Sequence, residues 1–379
     1  MKILLVGEYS RLHNSLKEGL ECLGHEASII SSGDYFKNYP TDIKLHRVFD
    51  HGLGRKIKVA IYKLTQKDIT SIALLKQAFQ HKKSLTDYDV VQLINERPIG
   101  AQATEEQKLM RFLKKHNNKL FLLCCGTDYI SVKYAFDKKF RYSILTPFFE
   151  NKLSAKSFTH ILNLLKPNYY KHHQFVYQQI HGVIASDMDY HLPMKNHPKY
   201  LGMIPNPINT DKIKYIDNPI RDKIVIFHGI NRANYYKKGN DLFEKALDII
   251  LQKYPNKLEI IVSENVPYQT YIHSYNKAHI LLDQVYAYDQ GYNALEAMAK
   301  GKVVFTGAEK EFCEYYNLQE NEVCVNALPD VNDLVEKLSW LIEHPDKIIE
   351  IGKNARLFTE HYHNYVDIAK KYISIWEKA

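Results

Sequence analysis

The residues best suited to chemistry lie in the second half of the chain. Between Gly291 and Lys302 the run GYNALEAMAKGK holds one carboxylate, Glu296, among small and apolar residues. Leu295, Met298 and Ala299 share a face at helical spacing, and Ala294 and Ala297 permit close approach of a neighbouring element. Glu296 then sits about one turn into the helix, just off that face. An acid there either complements the helix dipole or, at the carboxyl edge of a parallel sheet, accepts the protons of two ribose hydroxyls. Upstream, FHGINRANYYKKGNDLF ends a strand in His228 and Gly229 and then offers Arg232, Lys237, Lys238 and Gly239. Arginine forks and lysine ammonium groups hold diphosphate oxygens through charge-assisted bonds; a solvated basic loop is the plainer alternative. A basic loop after one strand and an acid after a later strand fall on the same sheet edge, and that pairing favours a site.

Three stretches of the first half end apolar strands in polar residues. LLCCGTDYISVKY runs into Gly126, Thr127 and Asp128, which places Asp128 at the carboxyl end of a sheet. The alternative role for Asp128 is to cap a helix starting near Tyr129. NERPIG at 95–100 makes Glu96 and Arg97 candidates by location alone. Gly7 closes the first strand, but the turn GEYSRLH lacks the GxGxxG spacing of a tight dinucleotide turn.

The elements that must carry these residues read as two successive α/β patterns. KILLVG, a helical run with Leu12, Leu16, Leu20 and Leu23, and ASIIS open a parallel wound sheet, continued by DVVQLI, KLFLLC and GVIAS. Residues 187–223 hold five of the 13 prolines and are expected to be the crossover between domains. KIVIFHG, LEIIVS, HILLD, KVVFT and EVCVN restart the pattern, with a helix over about 240–252 between the first two. Two helices follow, Pro345 starting the second, and a terminal helix is expected to bury Val366, Ala369, Ile373 and Trp376.

A length of 379 residues suits two α/β domains, and 45% apolar residues exclude a disordered chain. The formal charge of +8 favours anionic partners, although lysine occurs along most of the sequence. Cys22, Cys124, Cys125, Cys313 and Cys324 form no metal-ligand spacing and read as reduced thiols, which suits a cytoplasmic protein. The opening MKILLVG is too short an apolar run for a signal peptide. No zinc spacing or helix-turn-helix signal supports nucleic-acid binding, and His172-His173 lacks acids at metal-ligand spacing. Two basic stretches, residues 54–83 and 138–179, alternate lysines with apolar and aromatic side chains. An exposed helix of that kind lies on an anionic membrane face; a helix packed on its own sheet is the alternative.

On these residues the chain resembles two-domain glycosyltransferases of the GT-B fold, most similar to the large retaining group called family 4 (group 1). IPNPIN at 204–209 occupies the place of that group's loop into the second domain, with Pro207 where glycine is usual. Arg232 with Lys238-Gly239 matches its basic segment, and Gly291, Glu296, Ala297, Met298, Ala299, Gly301, Val303 and Val304 match most of its paired-glutamate signature. The first glutamate of that pair falls at Tyr288, with Asp289 adjacent. Cys125 replaces the histidine of the HG.D element that Asp128 resembles.

The resemblance implies an α/β, GT-B architecture: Rossmann-like domains over 1–203 and 204–360 facing across a cleft, with 361–379 returning to the first. It implies transfer of a hexose, with retention, from a nucleoside diphosphate sugar to a hydroxyl acceptor, in cell-surface polysaccharide or glycolipid synthesis. Arg232, Lys238 and Asp128 are the catalytic candidates. Gly7, Gly229, Lys237, Asp289, Gly291, Tyr292, Asn293 and Glu296 are the donor-side candidates, and Glu96, Arg97, Gly126 and Thr127 the acceptor-side ones. The implied partners are the sugar nucleotide, a saccharide or lipid-linked saccharide acceptor and an anionic membrane surface on the inner face. No nucleic acid, metal or cofactor is expected, the diphosphate charge being met by side chains and helix ends. With Tyr288 in the acid slot, a non-catalytic sugar-nucleotide or glycan-binding protein on the same scaffold is the alternative.

Overall fold

The computed structural model describes residues 1–33, 39–264 and 268–379. Nearly continuous apolar runs of four to seven residues form most of its strands, as expected where both faces of a parallel sheet are covered. The first sheet contains β1 (Lys2–Val6), β2 (Glu26–Ser31), β3 (Ile43–Lys44), β4 (Val90–Leu93), β5 (Lys119–Cys124), β6 (Gly182–Ala185) and β7 (Tyr200–Met203), in the order β3-β2-β1-β4-β5-β6-β7. The second contains β8 (Ile224–Ile230), β9 (Leu258–Glu264), β10 (Ile280–Leu282), β11 (Val303–Thr306) and β12 (Val325–Asn326), in the order β12-β11-β10-β8-β9. All the strand pairs are parallel, so within each sheet every strand-to-helix loop leaves by one edge.

In the first half the helices are α1 (Leu12–Cys22), α2 (Gly52–Thr65), α3 (Ile69–Gln80), α4 (Ala103–His116), α5 (Tyr129–Phe136), α6 (Thr146–Phe149), α7 (Thr159–Leu162), α8 (Pro167–Gln179) and α9 (Met188–Met194). In the second they are α10 (Asn240–Lys253), α11 (Tyr268–Lys277), α12 (Tyr292–Ala299), α13 (Lys310–Tyr316), α14 (Val331–Glu343), α15 (Pro345–Tyr362) and α16 (Tyr365–Lys378). One apolar cluster runs from Ile3, Leu16 and Phe121 of the first half through Leu281, Leu295 and Val304 of the second to Trp376. The two halves thus share a core as well as facing each other.

Three expectations change. The proline-rich stretch is a crossover only from Ile204 onward, because residues 188–194 form α9, with Pro193 inside it, and 200–203 form edge strand β7. Of EVCVN only Val325–Asn326 pairs with the sheet. The terminal helix buries Tyr365, Ile368, Ala369, Tyr372 and Trp376, a face rotated from the expected one because Tyr365 and Tyr372 supply part of its apolar surface.

That helix packs on α1, where Gly19 admits it: a Cβ on Gly19 would meet the Tyr365 carbonyl oxygen at 2.2 Å. The Trp376 indole donates to Gln92 Oε1 at 3.1 Å in the first sheet, and Lys119 Nζ donates to the Trp376 carbonyl at 2.8 Å. The outgoing and returning crossings lie side by side. Ile208 N donates to the His363 carbonyl at 2.7 Å, Ile208 and Asn364 form a parallel bridge, and His363 Nδ1 donates to the Asn206 carbonyl at 2.8 Å.

Candidate functional site

At the carboxyl edge of the second sheet, β10 delivers the buried Asp283 to a point between two candidates. Asp283 Oδ1 accepts from Lys238 Nζ at 3.0 Å and from Asn293 Nδ2 at 3.2 Å, while Thr306 Oγ1 at the end of β11 lies 3.4 Å from Oδ2. The basic loop after β8 is thereby tied to the first turn of α12. Gly239 makes that loop fit: its φ of +73° is left-handed, and a Cβ there would meet Val285 Cγ2 at 2.1 Å. Glu296 is half-buried on α12, and its charge acts on Tyr292 and Lys300, one turn to either side. Gly291 caps α12 in extended conformation and faces Gln284, while Gly229 lies in β8 against Phe227 and Tyr271.

The two other cations of the loop diverge. Arg232 is exposed and forms a fork to Glu264 at 2.7 and 2.6 Å, with its guanidinium over the Tyr235 ring. Lys237 turns toward the first half, its ammonium 5.5 Å from the Phe158 ring centre, and burial lowers its pKa. Between Leu153 and Ser157 on one side and residues 232–237 on the other lies a cavity of about 300 Å³, lined by Arg232, Tyr235, Tyr236 and Lys237.

Three further donor-side candidates are engaged with the first half. The Tyr292 hydroxyl bonds Ser15 Oγ of α1 at 2.6 Å and donates to the Pro207 carbonyl at 2.9 Å. Asp289 is buried and accepts from Met188 N at 3.1 Å and Gln290 N at 2.7 Å; burial raises its pKa to about 6. Gly7, with φ +90°, lies against β4: a Cβ there would meet Ile94 Cγ2 at 2.2 Å and the Pro98 carbonyl at 2.6 Å.

Tyr288 crosses the boundary as well. Its hydroxyl accepts the Arg141 backbone N–H at 2.7 Å, and its ring packs at a tilt against Phe140 and Tyr142. The Arg141 guanidinium covers the same ring and bonds Glu309 and Glu311 of the second half, and the Tyr142 hydroxyl donates to Glu309.

In the first half, Asp128 is both a strand-end acid and a helix cap. Its Oδ1 accepts from Ser131 N at 2.7 Å in a capping box, while Gly126 and Thr127 are exposed in the turn before it. Burial and the adjacent Asp128 carboxylate push up the Cys124 thiol. Glu96 is also buried, and the Asp128 charge helps to raise its pKa, after burial as the larger cause. Arg97 folds back on its own turn, donating twice to the Ala101 carbonyl at 2.9 and 2.6 Å.

Two readings of the chain need correction. His173 does meet an acid: α8 carries its Nδ1 to within 2.6 Å of Glu96 Oε1, and His172 Nε2 donates to the Glu96 carbonyl at 2.8 Å. Sequence spacing could not reveal a pair separated by 77 residues. The expectation that the chain has no DxD pair also fails, because Asp187-Met188-Asp189 has that spacing. In the fold Asp187 caps α9, and Asp189 accepts the Tyr288 N–H at 3.2 Å. Burial raises the pKa of both, helped at Asp187 by the charges of Asp189 and Asp289 and at Asp189 by those of Asp289 and Glu309. No group of three or more histidine, cysteine or acidic residues is placed to hold a metal ion among the described residues. Asp283 was also missed, although an aspartate directly after the apolar run ILL was a usable signal.

Comparison with known proteins places this geometry. Residues 232–374 match the family model described as glycosyl transferase-like, while no curated protein matches the sequence. The fold resembles that of a sucrose-phosphate synthase from Thermosynechococcus elongatus, with a TM-score of 0.63 at 13% identity over 100% of this chain and 99% of the other. Anabaena HepE, solved with UDP and glucose, aligns with a TM-score of 0.57 at 11% identity over 100% of both chains. A glycosyltransferase from Rickettsia africae gives 0.55 at 14% identity over 99% of this chain and 97% of its own. The chain therefore has the GT-B architecture, two wound α/β halves joined by paired crossings, with a glycosyl transferase-like region over residues 232–374.

Proposed function

We propose that the protein is a glycosyltransferase moving a hexose from a nucleoside diphosphate sugar to a hydroxyl of a saccharide or lipid-linked saccharide. The observation that carries this reading is the Asp283 bridge, which holds Lys238 against the first turn of α12, the helix that bears Glu296. In this reading Glu296 accepts the ribose hydroxyl protons, while Arg232 and Lys238 neutralise the charge that develops on the departing diphosphate. The Arg232–Glu264 fork is exposed, and exposed ion pairs contribute little. Exchange of Glu264 for a phosphate therefore costs little. Retention of anomeric configuration, metal independence and a cytoplasmic role in surface polysaccharide or glycolipid synthesis complete the proposal; Asp128 and Glu96 serve the acceptor side. UDP in the HepE complex makes uridine diphosphate sugars the first donors to try.

A thermal-shift panel of nucleoside diphosphate sugars, followed by turnover with the best donor, tests it. The parent protein is expected to shift with one base, and Glu296→Ala to lose the shift. Arg232→Ala and Lys238→Ala are each expected to lower turnover by about 100-fold, as for loss of one oxyanion donor. Unchanged turnover in both would overturn the assignment. Tyr288, engaged with Arg141 in the slot of the first acid, favours one second reading, a sugar-nucleotide or glycan-binding protein without turnover. Tight donor binding with neither transfer nor donor hydrolysis would select it.

A further inference from the structure

Residues 51–83 contain eight lysines and arginines and one acid, Asp68, a net of +7. This segment is the hairpin of α2 and α3.

Helix α2 is amphipathic by sequence and yet buries none of its residues. Leu53, Ile57, Ala60, Ile61 and Leu64 recur at the spacing of one helical face. Such a stripe on a globular protein is ordinarily turned to the core. Here Leu53 is 74% and Leu64 85% exposed, and Ile57 is exposed as well. Of the 16 large hydrophobic side chains exposed among the described residues, eight lie between Val48 and Ile72. Arg55, Lys56 and Lys63 occupy the remaining circumference and have no carboxylate partner among the described residues. Lys58 alone on this helix is paired, with Asp50 and Asp68. On α3 an open groove of about 440 Å³ runs between Ile72, Leu75 and Phe79, with Lys76 and Lys82 on its rim.

We propose that α2, with the adjoining face of α3, docks the protein on an anionic lipid bilayer: the Leu53–Leu64 stripe enters the headgroup boundary and the flanking cations meet lipid phosphates. An apolar face buries surface in the interface while basic residues at its sides are drawn to anionic lipid. A protein partner would account for the apolar stripe alone. The dense basic charge of this hairpin, a net of +7 with no acid on α2, matches a surface that is uniformly negative.

The hairpin is fastened to the carboxyl edge of the first sheet. Asp68 N donates to Gln102 Oε1 at 2.7 Å, Gln102 Nε2 to the Gln66 carbonyl at 3.1 Å, and Arg47 Nη1 to the Gly100 carbonyl at 3.2 Å. Gly100 and Gln102 lie in the loop that begins with Glu96 and Arg97. If the transferase reading holds, this geometry sets the acceptor-side edge beside the bilayer and selects an acceptor anchored in lipid; the docking itself does not depend on that reading.

The test is co-sedimentation of the full chain with vesicles of phosphatidylcholine alone and of phosphatidylcholine mixed equally with phosphatidylglycerol, at low and high salt. Binding to the anionic vesicles only is expected, weakened by salt. Leu53→Glu with Leu64→Glu is expected to lower the partition coefficient by at least about tenfold. Lys56→Gln and Lys63→Gln are expected to lower it about fivefold each. All four residues are exposed, so circular dichroism and any donor-induced thermal shift should match the parent. Failure of the parent to bind anionic vesicles overturns the proposal. So does binding that survives the leucine substitutions, which would mark a purely electrostatic association, or a solution dimer that those substitutions abolish in a protein indifferent to vesicles.

Discussion

Replacing Tyr288 by phenylalanine removes one atom from the boundary between the two halves, and its effect can be worked from the geometry. The hydroxyl accepts the Arg141 N–H at 2.7 Å on a side chain only 2% exposed, so water has little access to take its place. Phenylalanine keeps the ring, and with it the Arg141 guanidinium at 4.7 Å and the Phe140 ring at 4.9 Å. What is lost is one part-buried hydrogen bond between the halves, which costs about 1–2 kcal/mol. The bond joins the two halves, so the cost falls on their closed arrangement and multiplies the open population by about 5- to 30-fold. Hydrogen exchange of the Arg141 amide reads that factor directly, and small-angle scattering reads the accompanying rise in radius of gyration. Tyr315→Phe, at an exposed tyrosine, is the control. Unchanged Arg141 exchange in Tyr288→Phe, or an equal change in the control, would refute the assignment of this hydroxyl as an interdomain contact.

Three other substitutions test neighbouring parts of the structure. Asp289 holds its proton up to about pH 6 in the closed protein because burial disfavours its charge, against about 3.9 when exposed. Its contribution to stability is therefore full below about pH 4 and lost as the pH rises through about 6. Thermal midpoints should show that loss between those limits, with Asp187 and Asp189 acting in the same direction, and Asp289→Asn should flatten the Asp289 part; an identical profile in Asp289→Asn would contradict the cause given. Gly239→Ala places a Cβ at 2.1 Å from Val285 Cγ2 in a left-handed conformation and should destabilise by about 2–4 kcal/mol. Denaturant midpoints check this, and a midpoint equal to the parent's would remove the steric account of the loop. Trp376→Phe deletes the indole donor to Gln92 and part of a fully buried ring. A loss of about 2–3 kcal/mol is expected in chemical denaturation, and a smaller loss than that of the half-buried Trp340→Phe would show that α16 is not a brace.

The fold was largely legible because parallel strands announce themselves. KILLV, VVQL and KLFLLC are apolar on both faces, and Gly7 and Gly126 mark where two of the first-sheet strands end. Helix ends were legible for local reasons too, as with Asp128 and Ser131 or Pro345. The rest depended on partners remote in sequence. Edge strand β7 is a weak local signal, half-buried and next to prolines, and forms because β6 offers it an open edge. The face of α16 was set by which side chains fit against Gly19, and tyrosines took places that a simple apolar count gave to Val366 and Ile373. At the site, Arg232, Lys238 and Glu296 stood out because each follows a strand, but the tie between Lys238 and the helix that bears Glu296 rests on Asp283, which local pattern left in the background. Asp289 was read as facing a donor and Tyr288 as standing in the slot of the first acid, but hydrogen bonds tie them to Arg141, Asp189 and Met188 of the other half. No spacing rule reports a contact across 147 residues.

The side-by-side crossings at Ile208 and Asn364 have a mechanical corollary. A single tether lets two bodies swivel in any direction, whereas two strips fastened along their length resist torsion and yield chiefly by flexing together. Relative motion of the halves is thereby confined to something near one axis, like a cover on a spine.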